Sequence, residues 1–288
     1  MRKLTTSKNF VAYMFILPFI ILHIVVTVIP AVYSLIMSFF KYRGYGEAVF
    51  VGLENYIKLF TYRNTWIALG NTFLYFVIKL VVCILLGFLF ALAIRSKHVV
   101  RFQRVYKPLI YVPQMCAIVA SSLLFQVLFA TNNGIINDIF NLDIGWTTDP
   151  AYMKIPVIIL LLWRNTGWFF IILLTGMTSI SADLIEAAEI DGANAFKRAI
   201  HIILPLMKPI FSFLVITEAI NSLKLFSEPN LVIHRFQLAP YDVAPYMNIV
   251  VNQINSGSFG MASAAGWILC ILTFILTMVM MKGLKENG

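Results

Sequence analysis

The sequence predicts an all-α polytopic membrane protein with six transmembrane helices, and three observations carry that expectation. Of 288 residues, 60% are hydrophobic and 12% charged, against roughly half and a quarter in soluble domains. Six runs approach or exceed the ~20 apolar residues that cross the hydrocarbon as a helix: 10–40, 66–94, 106–130, 155–177, 205–226 and 263–281. Lys and Arg are distributed unevenly between the connections. With a cytoplasmic N-terminus, the inside segments hold Arg2, Lys3, Lys8, Arg95, Lys97, Arg101, Arg104, Lys107, Lys197, Arg198, Lys208, Lys282 and Lys285, and the outside ones hold only Lys41, Arg43, Lys58, Arg63, Lys154 and Arg235. An excess of basic residues marks the cytoplasmic side, so both termini are expected inside. The net charge of +9 is mostly this bias, and no nucleic-acid partner is read from it.

Taken in order, the first span (10–40) follows a basic Met1-Arg2-Lys3 start that resembles a signal peptide, but its apolar run exceeds the 7–15 residues of a cleaved signal. It is expected to be retained. Prolines at 18 and 30, and at 108 and 113 in the third span, remove backbone donors and should bend those helices. The outside connection 41–63 carries FVGLENY, a polar and aromatic stretch suited to the interface. Residues 95–107 form a short basic turn on the inside. In 131–150, Ile135, Ile136, Ile139 and Phe140 recur at helical spacing and predict a short amphipathic helix. The last outside connection, 227–260, contains Pro229, Pro240 and Pro245 and is read as a long loop over the pore mouth. The whole chain, 1–288, is read as a single transmembrane domain without an internal repeat.

A polar block, 181–204, separates the fourth and fifth spans. Ser181 and Asp183 can each cap a helix beginning near Ala182, Asp183 with Glu186 makes a capping-box-like pair, and Gly192 supplies a left-handed stop. A second helix is expected over 193–203, with the fifth span starting at Pro205 in its first turn. Two short helices should therefore meet at Asp191-Gly192 on the cytoplasmic side, and the small Ala187, Ala188 and Ala193 let another surface approach closely.

The run Glu186-Ala187-Ala188, three residues, Gly192, nine residues, then Ile202, one residue, Leu204 and Pro205 matches the EAA motif at every position. With FVGLENY, the Trp66, Leu69, Asn71-Thr72-Phe73 pattern, WTTDP (146–150) and SLKLF (222–226), the chain resembles ABC importer permeases of the carbohydrate-uptake branch, related to maltose and glycerol-phosphate systems. The resemblance implies a type I importer permease (MetI-like) fold in a prokaryotic inner membrane. It also implies cytoplasmic coupling helices, with Glu186, Ala187, Ala188, Asp191 and Gly192 forming the contact with an ATPase. Implied partners are a second permease subunit, two cytoplasmic ATPase subunits that bind the ATP and Mg, an extracytoplasmic solute-binding protein and the surrounding lipid. The cargo would be a sugar or oligosaccharide, or alternatively glycerol phosphate or another polyol.

Ionisable groups at lipid depth are costly and face partners or aqueous cavities. Arg164, with Asn165 beside it and Trp168 one turn on, lies mid-way along the fourth span; in the fifth, Thr217, Asn221 and Lys224 share a face, with Glu218 flanking. These residues offer the hydrogen bonds and flat apolar faces that sugars need. Arg164 either pairs with Glu218, the nearest acid by depth, or reads the solute itself, the second being the preferred reading, and Lys79 is assigned to a structural pair or a partner contact. Arg164 departs from the uncharged residue usual in the family, which leaves the solute open. Cys83, Cys116 and Cys270 lie in apolar spans as small hydrophobes, and neither GxxxxGK[ST] nor HExxH occurs. No cofactor site or enzyme chemistry is expected of this chain. An ion-driven secondary carrier is the rival class, and the EAA spacing together with the lack of a repeat argues against it.

Overall fold

The structure is a computed structural model that describes residues 2–95, 100–234 and 239–285. Lys97 and Arg235, two of the charges in the topology reading, lie outside the described residues. Among the described residues, four helices are long and apolar enough to cross a membrane: Phe10–Met37, Arg63–Arg95, Lys154–Thr178 and Phe259–Lys282. Two bent pairs bring the number of spans to as many as six.

The chain divides into two compact units. The first comprises Met1–Tyr62 and Ile249–Cys270. It holds α1 (Arg2–His23) and α2 (Ile29–Met37), joined by a π-helical turn at Ile24–Val28. Pro30 sits in the first turn of α2, so its missing donor is absorbed by a turn that is already irregular. Strands β1 (Phe40–Lys41) and β2 (Val49–Phe50) pair antiparallel, Phe40 opposite Phe50. This small hairpin is an exception to the all-helical expectation. α3 (Glu54–Thr61) follows, and FVGLENY explains how the hairpin is tied to it. Asn55 Nδ2 donates to the Ser38 carbonyl at 2.8 Å and the Phe40 carbonyl at 3.0 Å, and Tyr56 donates to Ser38 Oγ at 2.7 Å.

The second unit comprises Arg63–Asn248 and Ile271–Gly288. Its helices are α4 (Arg63–Arg95), α5 (Gln103–Met115), α6 (Ile118–Leu128), α7 (Ile135–Phe140), α8 (Lys154–Thr178), α9 (Ala182–Ile190), α10 (Ala195–Arg198), α11 (Leu204–Leu206), α12 (Lys208–Leu223) and α13 (Ser227–His234). Two more, α14 (Met247–Asn255) and α15 (Phe259–Lys285), run across the division. α8 is the central element and packs on α4, α5, α6, α12 and α13. α5 approaches it closely at Gly167, where a Cβ would stand 2.6 Å from the Ile110 carbonyl oxygen and 2.9 Å from Tyr111 Cα. Gly167→Val forces those backbones apart. It should destabilise by about 1–3 kcal/mol, read as a lower melting temperature of the purified protein with Gly167→Ala intermediate.

Three expectations from the sequence need correction. The third span is not one bent helix. It breaks at Cys116–Ala117, where both residues are extended (ψ 138° and 133°), and α5 and α6 meet at 90°. Pro108 and Pro113 each withdraw a donor from the short α5, leaving little to hold the helix beyond Met115. The fifth span starts at Lys208 rather than Pro205. Pro209 cannot bond the Pro205 carbonyl and its ring crowds it, so the chain bends by 66° at Met207. The connection 227–260 is not a loop either, since α13 and α14 occupy much of it.

The stretch between α13 and α14 is stitched to α4 by the Asn71-Thr72 pair. Asn71 Nδ2 donates to the Tyr241 and Ala244 carbonyls at 2.8 and 3.0 Å, Tyr75 donates to the Val243 carbonyl at 2.7 Å, and Thr72 Oγ1 accepts from Tyr246 N at 2.8 Å. Val232, Val243 and Ala244 are thereby buried with Tyr75, Leu160 and Leu161 in one apolar cluster. A second cluster joins Cys83, Ala91 and Ile94 of α4 to Phe169, Phe170 and Leu173 of α8 and Leu214 of α12. The amphipathic helix expected in 131–150 is α7. Ile136 packs on the first cluster, while Ile139 and Phe140 are exposed.

Candidate functional site

Polar residues sit at mid-length on three packed helices of the second unit. Lys79 is central in α4, about 24 Å of helix from either end at 1.5 Å per residue. Glu218 is about 15 Å into α12. Lys79 Nζ and Glu218 Oε1 are 2.6 Å apart and both side chains are buried. Ser222 Oγ, one turn on, donates to the same carboxylate oxygen at 2.6 Å. The structural pair expected of Lys79 is therefore made with Glu218.

That pairing corrects the partner expected for Arg164. Its Nη1 meets Glu228 Oε1 at 3.3 Å and its Nη2 the Cys116 carbonyl at 3.4 Å. Glu228 comes from α13, in the stretch read as a loop, and Cys116 lies at the break of the third span. Irregular backbone at membrane depth is tolerated where it lines a cavity or is buried in protein, and the break at Cys116 presents a carbonyl to the arginine. A helix start was legible at Glu228, since Ser227, an acid and a proline fall together in the first turn of α13.

These groups line a cavity of about 320 Å³, within the usual range of ligand pockets. Its wall is Lys79, Gln114, Ile118, Arg164, Asn165, Asn221 and Lys224, closed by the run from Leu225 to Glu228. Of the pathway candidates, Arg164, Asn165, Asn221 and Lys224 are brought together. Glu218 and Trp168 are not part of the wall. Glu218 is turned to Lys79, and Trp168 packs against the second apolar cluster. Thr217 bonds back to the Phe213 carbonyl at 2.8 Å. Gln114 and Phe226 also line the cavity; Phe226 lies in the SLKLF pattern, and Gln114 was not among the pathway candidates.

The 181–204 block forms the expected helix pair, with different details. Ser181 is the cap, its Oγ accepting from Asp183 N at 3.2 Å; Asp183 and Glu186 lie inside α9. Gly192 has φ +77°. Gly192 N donates to the Glu189 carbonyl at 3.1 Å and Ala193 N to the Ala188 carbonyl at 2.9 Å, the paired bonds of a Schellman stop. The second helix begins at Ala195 rather than 193, because Asn194 Oδ1 accepts from Lys197 N at 2.8 Å and caps it. It continues as a π-helical turn at Ala199–Ile203. An ion pair between Arg198 and Glu189 ties the two helices. Glu186, Ala187, Asp191 and Gly192 are exposed, Ala188 is half-buried, and the flanking Ile190 and Phe196 are 87% and 72% exposed. Ile190 and Phe196 are thus large apolar side chains exposed among charged neighbours.

The helical spans, the polar cavity and the displayed helix pair agree with a transport permease, and the family match places the chain among permeases rather than enzymes. The chain belongs to the family described as binding-protein-dependent transport system inner membrane component, whose model matches residues 83–285. It is accordingly a multi-pass inner-membrane protein. The lactose transport system permease protein LacF of Rhizobium radiobacter is 32% identical over 222 residues, 75% of this chain and 74% of that one. The arabinooligosaccharides transport system permease protein AraP of Halalkalibacterium halodurans is 26% identical over 98% of this chain and 90% of its own. A chain in the crystal structure of a bacterial ABC transporter involved in import of the acidic polysaccharide alginate superposes with a TM-score of 0.86 over 99% of both chains, at 19% identity. That likeness concerns the fold, which is the MetI-like one expected from the sequence.

Proposed function

We propose that this chain is the transmembrane permease subunit of an ATP-driven importer that translocates a sugar or oligosaccharide. The observation that carries the proposal is the displayed EAA helix pair, with Glu186, Ala187, Asp191 and Gly192 outermost and Ile190 and Phe196 beside them. Two large apolar side chains exposed together beside the motif support a docking surface over a bare connector. The sugar class is supported by relatives described as lactose and arabinooligosaccharide permeases. It is supported too by the amide and cationic groups of the cavity, which suit hydroxyl-rich cargo.

In this reading two cytoplasmic ATPase subunits grip α9 and α10 and hold the ATP and Mg. A second permease subunit completes the pathway, and an extracytoplasmic binding protein delivers solute. The ends of the chain and residues 181–204 face the cytoplasm, in keeping with the basic residues around them. ATP binding closes the ATPases, the helix pair moves with them, and the spans reopen outward. The chain itself forms and breaks no bond. Gentle affinity purification from the native membrane tests this: a P-loop ATPase should co-purify in a 2:1 ratio to this subunit. A preparation containing no ATPase while uptake runs on an ion gradient would contradict it.

A further inference from the structure

We infer that the cavity between α4, α8 and α12 takes an anionic cargo, specifically a carboxylated saccharide such as a uronate, binding on Arg164 and Lys224. The inference rests on the reading of this cavity as the solute pathway and narrows its substrate class.

The charges of the wall do not balance. Lys79 is matched by Glu218 at 2.6 Å and Arg164 by Glu228 at 3.3 Å. Lys224, on the same wall, has no acidic partner among the described residues. Its place at the end of α12 gives it the negative pole of the helix, worth about half a charge, which leaves a positive surplus. A positive surplus on a cavity wall attracts an anion. A single carboxylate per sugar ring matches this surplus better than a phosphate, which brings ~1.5–2 negative charges.

Arg164 supplies the geometry. It is 7% exposed, and its Nε is buried without any hydrogen-bond partner. Charge-assisted N–H to O contacts close to about 2.7–2.9 Å, whereas the two contacts of Arg164 are at 3.3 and 3.4 Å. Glu228 engages Nη1 alone, so the edge formed by Nε and Nη2 is held only by the long bond to Cys116. A carboxylate can take that edge in a bidentate grip once the guanidinium turns away from Glu228, and the freed acid can then accept a sugar hydroxyl. Asn165 keeps a free carbonyl oxygen, since its Nδ2 bonds back to the Leu161 carbonyl at 2.7 Å.

The test uses the intact importer in lipid nanodiscs without its binding protein, so that binding reports on the permease. Saturation-transfer NMR would compare α-1,4-digalacturonate, neutral α-1,4-galactobiose and glucose 6-phosphate. Digalacturonate should bind about tenfold or more tightly than galactobiose, and Lys224→Gln and Arg164→Gln should each remove most of that preference. Glu228→Gln, which removes the competing acid, should tighten digalacturonate severalfold. Because Lys224 is exposed, its variant reports even if the Arg164 variant fails to assemble. Galactobiose binding as well as digalacturonate would overturn the anionic class and leave sugar import standing. Tighter binding of glucose 6-phosphate would overturn the carboxylate assignment. No binding of any of the three, or binding indifferent to all the substitutions, would overturn this inference together with the reading of the cavity as the pathway.

Discussion

Lys79→Met should destabilise the protein by about 3–5 kcal/mol, the loss expected when one partner of a buried ion pair is removed. Glu218 would keep only the hydroxyl of Ser222 at 2.6 Å, in a site with 3% side-chain exposure. Glu218→Gln should cost less. Its glutamine still accepts from Ser222 and can accept from the ammonium as a neutral partner, while the carboxylate stranded by Lys79→Met loses its cation outright. The double variant Lys79→Met/Glu218→Gln should recover most of the loss, because glutamine still accepts from Ser222 and no net charge remains buried. Thermal or denaturant unfolding of the four proteins in one detergent measures the coupling. Additive losses would show that the two side chains do not stabilise each other.

How far this arrangement was legible depended on the kind of signal each residue left. Apolar runs announce spans because length and hydropathy are local, and the runs at 66–94, 155–177 and 263–281 lie within α4, α8 and α15. The EAA block was equally readable, since Ser181, Gly192 and Asn194 are turn and cap residues whose effects are confined to a few neighbours. Prolines were harder. Pro30 is absorbed by a π turn, whereas Pro113 and Pro209 precede or follow outright breaks. At the third-span break the Arg164 guanidinium reaches the Cys116 carbonyl.

Partner choice was the least legible feature. Glu218 and Arg164 lie at similar depth, and depth alone paired them. The helix packing instead sets α12 against Lys79 of α4, and α13 brings Glu228 to Arg164. That second contact depends on 227–260 being helical. Its three prolines argued for a loop, but Pro229 opens α13 and Pro240 and Pro245 sit in the turns before α14. The Asn71-Thr72 pair was read as a family pattern; its physical role is to hold those turns against α4.

The claim at the centre of this account is that ATP hydrolysis in a partner moves this chain through 186–192, and Gly192 tests it most directly. At φ +77° an L side chain is strained, although a Cβ there would meet nothing within 4 Å. Gly192→Val therefore acts on the backbone alone, at a cost on the order of 1–2 kcal/mol. It opens the Schellman stop at Ala188 and Glu189 and turns Glu186 and Ile190 away from the partner. Asparagine tolerates the left-handed region, so Gly192→Asn is the matched control, and Glu186→Lys reverses charge on the same surface without touching the turn. The measurement is solute uptake together with binding-protein-stimulated ATP hydrolysis by the reconstituted importer. Gly192→Val and Glu186→Lys should lower both by at least tenfold, with the subunit still inserted, and Gly192→Asn should retain most of both. Normal uptake and normal stimulated hydrolysis in Gly192→Val would show that the helix pair is only a connector.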